Sequence, residues 1–177
     1  MSASDNTDQR EEIRRLHREK DAAYRDAWKK RGEVIGVLAN IARKVDRLTY
    51  VLDGAPTTTD ESLRDTAIDL LVYSLKYQTY LADLDPVVAK KLFAGSNLGL
   101  PYSDGPDGFE HLLSQVDMPG TDAQRMTSAD AVRFVLTCFD ELEACFTGLL
   151  TAAPAHARLA CAQELTDAAV CLLATFR

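Results

Sequence analysis

The sequence predicts an all-α protein, a helical bundle built from two helical halves joined by a connector rich in glycine and proline. Three observations carry that expectation. Apolar residues recur at three- and four-residue spacing through each long segment. No segment alternates apolar and polar residues between hairpin turns, as half-buried strands do. Helix breakers crowd into one stretch, residues 84–126. At 177 residues the chain can bury a core as one domain or as two small packed halves. Hydrophobic residues at 46% and charged residues at 27% are the proportions of a globular protein.

Residues 1–9 are small and polar and read as a mobile tail, ahead of an N-terminal helical half over residues 10–83. The first helix is predicted from about Gln9 to Lys30, with a sparse stripe of Ile13, Leu16, Ala23, Tyr24 and Ala27, and with Gly32 as its C-terminal glycine. Within it Tyr24 and Trp28 stand four residues apart, hence on one face. Such a pair serves as a base-stacking platform or as ordinary core. The second helix, Gly32 to about Leu52, carries Ile35, Leu38, Ile41 or Ala42, Val45, Leu48 and Leu52 on its apolar side and Arg43, Lys44, Asp46 and Arg47 elsewhere.

A short connection, Asp53 to Thr57, folds that helix back against a third, Thr58 to Asp83. Thr58 as N-cap with Glu61 three residues on forms a capping box. Glu61, Asp65 and Asp69 recur every four residues, so three carboxylates share one wall among Leu63, Ala67, Leu70, Leu71, Val72 and Leu75. A carboxylate in such apolar surroundings requires a partner. Two partners satisfy it: a Mg²⁺ ion that the three acids hold with substrate phosphates, or a structural ion pair with an arginine or lysine of a neighbouring helix, towards which the basic cluster of the second helix can look. In the first case Lys44 and Arg47 bind phosphate oxygens beside the metal.

Residues 84–126 hold Pro86, Gly95, Gly99, Pro101, Gly105, Pro106, Gly108, Pro119 and Gly120, with short helices predicted over Val87–Phe93 and Phe109–Val116; the stretch reads as a connector or lid. The C-terminal half, residues 127–177, is a predicted hairpin packed on the first half. Its first helix opens at Thr127 with Asp130 as a capping box, buries Val132, Val135, Leu136, Phe139, Leu142, Phe146 and Leu149, and is stopped by Pro154. Its second runs from about Ala155 to Phe176. Asp140-x-x-Glu143 and Glu164-x-x-Asp167 offer a secondary acid set. A weak echo between Ala67-Ile68-Asp69-Leu70-Leu71-Val72 and Leu165-Thr166-Asp167-Ala168-Ala169-Val170 suggests a chain that imitates a dimer of hairpins, and a homodimer is left open.

A net charge of −7 and a pI near 4.9 argue against wrapping duplex nucleic acid, whose binders are basic. Cys138, Cys145, Cys161 and Cys171 lack zinc-ligand spacing and read as small buried hydrophobes kept reduced. The opening MSASDNTDQREE has no signal-peptide core and no run is long and apolar enough to span a bilayer, which implies no membrane partner and a cytoplasmic location.

Three runs together, Tyr24-Arg25-Asp26-Ala27-Trp28, Ile41-Ala42-Arg43-Lys44-Val45-Asp46-Arg47-Leu48 and Glu61 to Tyr73, resemble the nucleotide modification associated domain 1 family of phages and bacteria. That family's pattern has tyrosine-glycine-aspartate and tryptophan, then lysine and arginine before leucine, then aspartate-threonine followed by aspartate-leucine and tyrosine. The likeness spans about residues 12–82, with Arg25 standing where the family has glycine. More distantly, the helical hairpin with a late acid motif is similar to the MazG-like all-α nucleoside triphosphate pyrophosphatases, which hold Mg²⁺ with ExxE and ExxD pairs. Here Glu12, Glu19, Asp21 and Asp26 are the acids available on the first helix. The resemblance implies a Mg²⁺-dependent hydrolase of free or modified nucleotides, with Tyr24 or Trp28 stacking the base. The alternative is a non-catalytic helical module that binds a nucleotide or a protein, phage- or defence-related.

Overall fold

The computed structural model describes residues 3–52, 60–118, 126–147 and 152–176, and over these the protein is an all-α bundle. Its helices are α1 (Ala3–Tyr24), α2 (Ala39–Leu52), α3 (Asp60–Leu84), α4 (Pro86–Phe93), α5 (Asp107–Gln115), α6 (Ser128–Glu143) and α7 (Ala155–Ala174). The expected capping box at Thr58 and Glu61 lies outside the described residues, because Thr58 and the Glu61 side chain both do. At Thr127 the N-cap is present: its hydroxyl accepts from Asp130 N–H at 3.1 Å and donates to the Asp130 carboxylate at 2.6 Å. Asp85 caps α4, accepting from Val87 N–H at 2.8 Å, with Pro86 in the first turn where its missing N–H costs nothing.

The centre of the molecule is α3. From Thr66 to Ala82 almost every side chain is buried, on all sides of the helix, as in a helix surrounded by others. It packs against α2, α4, α5 and α7, and more lightly against α1. The α3–α7 contact includes a buried polar run in which Gln78 donates to the Thr166 hydroxyl at 2.9 Å and Thr166 donates to Ser74 Oγ at 2.9 Å. Each polar atom is partnered, which is what allows it to sit in the core.

The described part of the expected connector, residues 84–118, packs into the rest of the bundle. Val88, Leu92, Phe93, Phe109, Leu112, Leu113 and Met118 are all part of the one hydrophobic core. Asp83 at the end of α3 holds the turn that follows, accepting from Tyr102 N–H at 2.6 Å and Ser103 N–H at 3.3 Å. Arg18 of α1 grips Glu110 of α5 through two hydrogen bonds of 2.6 and 2.7 Å.

Three segments differ from the sequence expectation, one being the helix expected from Thr127 to Pro154, which ends at Glu143, with Phe146 in a bridge to Ala152 and Leu149 outside the described residues. The first helix begins at Ala3 instead of near Gln9 and ends at Tyr24 instead of Lys30, because Arg25 adopts a left-handed backbone, φ 47°, and turns the chain. Residues 33–38 form a π-helical segment ahead of α2, with Val37 N–H reaching back five residues to Gly32 C=O at 3.3 Å. Its wider turn rotates Ile35 off the apolar stripe and leaves it 58% exposed, while Ile41, Val45 and Leu48 stay buried. Gly36 permits this packing: a Cβ there would lie 3.1 Å from the Trp28 carbonyl oxygen.

Glu33, at the start of that segment, is gripped by Arg158 of α7 and accepts from Tyr77 Oη at 2.5 Å. Both charged side chains are nearly enclosed, at 14% and 9% exposure. Removing one partner strands the other without water. Glu33→Ala is therefore expected to lower the unfolding free energy by about 3 kcal/mol, read by urea denaturation, whereas Glu11→Ala at the surface changes it by less than about 0.5 kcal/mol.

Candidate functional site

A cavity of about 700 Å³ opens between α1, the turn after it, the π-helical segment, α2 and α3. Its size is that of small-molecule sites. The lining is built by three backbone devices already described: the left-handed turn at Arg25, the π-helical turn that presents Ile35, and the antiparallel packing of α2 on α3. Six cationic side chains line it, Lys20, Arg25, Arg31, Arg43, Lys44 and Lys76, against one carboxylate, Asp69. Tyr24, Trp28, Tyr73 and His17 supply rings, and Ile35 and Val72 apolar surface.

Asp69 carries the charge balance. Lys20 Nζ lies 2.6 Å from one of its oxygens and Lys44 Nζ 2.6 Å from the other. Burial pushes this carboxyl up, but the two lysine hydrogen bonds outweigh it and hold the pKa below the usual carboxylate range. The same negative charge, added to burial, raises the Tyr73 phenol.

Lys76 is 7% exposed, stands 4.9 Å from the Trp28 ring centroid and pairs with Asp21 at 3.6 Å. Burial depresses its pKa despite Asp21. Trp28 in turn meets Tyr80 edge-on, with centroids 6.5 Å apart. Behind the turn, Lys29 donates to Ser103 Oγ at 2.6 Å and pairs with Asp104, so the segment after α4 buttresses this wall from outside. That support is the contact its described residues make behind the cavity.

The residues singled out by sequence fall into three groups. Lys44, Asp69, Tyr24 and Trp28 do come together around the cavity. Tyr24 and Trp28 do so without sharing a helix face, since the chain leaves α1 between them; Trp28 is 7% exposed and Tyr24 71%. Arg47 is exposed on α2, one turn beyond the lining, and Arg43 takes the place expected for it. Asp65 is exposed and not part of the lining, and the Glu61 side chain lies outside the described residues. Asp140, Glu143, Glu164 and Asp167 are all exposed.

Among the described residues no three acidic, histidine or cysteine side chains gather where they would hold a metal ion. The acids of α1 are engaged otherwise: Glu12 grips Arg64 through hydrogen bonds of 3.0 and 2.6 Å, Glu19 pairs with Arg15, and Asp21 with Lys76. With both Asp69 oxygens on lysines, the described donor set does not fit a resident Mg²⁺.

Sequence reasoning missed His17, Lys20, Arg31 and Lys76. Lys20 and Lys76 carried one usable signal, a lone cation on a stripe otherwise apolar or acidic; His17 and Arg31 carried none. Among the described residues no helix is long and apolar enough to cross a membrane. Comparison with known proteins finds no family model, no curated protein and no solved structure that matches this chain.

His17 is 1% exposed, stacks on Phe109 with centroids 3.8 Å apart, and has no hydrogen-bond partner for either ring nitrogen. Burial, with the nearby Lys76 charge, lowers its pKa from 6.5 to about 4, only partly offset by Glu110. Between those two values the unfolded chain binds a proton that the folded chain refuses, so stability falls as pH drops through that window and levels off below it. Urea unfolding at pH 7 and pH 4.5 is expected to show a loss on the order of 2 to 3 kcal/mol in His17→Phe-sensitive fashion, the variant losing less over the same interval.

Proposed function

We propose that the cavity binds a phosphorylated planar ligand, a free nucleotide being the class that fits, and does so without a resident metal. One observation carries the reading: six cations converge on a single small-molecule-sized cavity in a chain whose net charge is −7. Such a concentration of like charge is costly unless it meets an anion. Asp69 supplies part of that anion, and a phosphate group is the natural replacement for it on Lys20 and Lys44. Arg25, Arg31 and Arg43 at the more open side offer planar donors to further phosphate oxygens. The exposed Tyr24 ring, with Ile35 beside the same cavity, provides a face for a base, since stacking makes little demand on base identity.

This reading keeps the nucleotide of the family resemblance and sets aside its magnesium-dependent hydrolysis. Arg25 supports the resemblance in one respect: its left-handed backbone is the conformation that glycine, the family's residue there, adopts without strain. The protein is then a nucleotide-binding helical module.

Titration of AMP, ATP, adenosine and inorganic phosphate, followed by calorimetry and by the fluorescence of Trp28, the one tryptophan, tests it. The nucleotides are expected to bind equally in EDTA and in Mg²⁺, at least tenfold more tightly than adenosine, and more weakly as salt rises. Arg43→Ala should weaken AMP binding about tenfold, equivalent to about 1.4 kcal/mol. Asp69→Asn should tighten it by releasing two lysines. Failure of every probe to bind removes the proposal, and Mg²⁺-dependent pyrophosphate release abolished by Asp69→Asn restores the hydrolase.

A further inference from the structure

Four thiols lie in the C-terminal third, and the structure treats them differently. Cys138 is buried at 2% exposure, with burial pushing its thiol up to about 12. Cys145, Cys161 and Cys171 are half-buried. Cys145 sits in the turn just past α6, and Cys161 on the second turn of α7; their sulfurs stand 3.8 Å apart.

The contact is held from both sides. Cys145 C=O accepts from Ala153 N–H at 2.7 Å, and Phe146 bridges to Ala152, so the ends of the intervening loop are pinned together. One helical turn before Cys161, Arg158 lies 5.8 Å from the Phe146 ring while gripping Glu33. Backbone and side-chain contacts thus fix the two sulfurs at van der Waals distance across a sequence separation of 16 residues. A disulfide needs the sulfurs about 2 Å apart, so the two have already covered most of the approach.

We infer that Cys145 and Cys161 form a site of reversible oxidation, a dithiol that hydroperoxides convert to an intramolecular disulfide. One thiolate sulfur attacks the peroxide O–O bond, becomes a sulfenic acid, and the other oxygen leaves as water or alcohol. The second sulfur then attacks the sulfenic sulfur; the S–S bond forms, the S–O bond breaks, and its oxygen leaves as water. Two electrons pass from the two thiols to the peroxide, and both thiol protons end in the departing oxygens. The pair needs no nucleotide in the cavity and stands whether or not the binding proposal does.

Folded, reduced protein treated with hydrogen peroxide at a few equivalents, then alkylated, digested and mapped by mass spectrometry, provides the test. The expected product is monomeric, lighter by two hydrogens, with the Cys145 and Cys161 peptides linked and dithiothreitol restoring both thiols. Cys138→Ser/Cys171→Ser should give the same product. Cys145→Ser and Cys161→Ser, each checked for native circular dichroism, should give none, and sulfenic acid trapped by dimedone should accumulate at the remaining thiol of at least one of the two. Oxidation that adds oxygen at Cys145 or Cys161 without linking them, or links them only between chains, overturns the inference; so does a disulfide that includes Cys138 or Cys171.

Discussion

A helix packed on every side has few places to put charge, and α3 is such a helix. Between Thr66 and Ala82 its charged groups are Asp69 and Lys76, and both point to the one side where α1 and α2 leave a cavity. An isolated charge there would be expelled or neutralised. Each is met instead by groups from a neighbouring helix: Lys20 and Lys44 for Asp69, Asp21 for Lys76. Those ion pairs tie α1 and α2 to α3 along one wall of the cavity.

The same constraint explains why an acidic protein carries a basic hollow. Charge on the remaining surface is mixed and solvated, with pairs such as Arg15–Glu19 and Arg133–Asp130 at ordinary helical spacing, where they contribute little. Inside the hollow the cations outnumber the single carboxylate, and water screens them less. Asp69 therefore acts as a built-in counterion that holds Lys20 and Lys44 together at the cavity wall. Rigid support comes from behind: Lys29 is tied to Ser103 and Asp104, Ser103 to Asp83, and Asp83 ends α3 itself.

The two ends of the chain are joined by a second enclosed charge, Glu33, which Arg158 and Tyr77 hold between the π-helical segment and α7. This contact sets the angle at which the segment leaves the Trp28 turn, so a residue from the last helix helps to shape a cavity lined wholly by the first 76 residues. The predicted division into halves is for that reason blurred in three dimensions: α3 belongs to the packing of both, and residues 84–118 add side chains to the common core.

By itself the sequence determined the helical class, the run of α2, α3, α6 and α7 to within a few residues at most ends, the cap at Thr127, and a basic cluster on α2 opposite acids of α3. These follow from local periodicity and from one short connection, whose physics needs only neighbouring residues. Tertiary structure decided the rest. The left-handed turn at Arg25 and the π-helical turn at residues 33–38 are backbone choices that packing imposes against local preference, and they put Trp28 inside and Ile35 outside. Apart from Lys44, the partners of Asp69, Lys76 and Glu33 come from 44 to 125 residues away, and no spacing rule reaches that far: whether an acid meets a metal or a lysine depends on which helix the fold brings alongside.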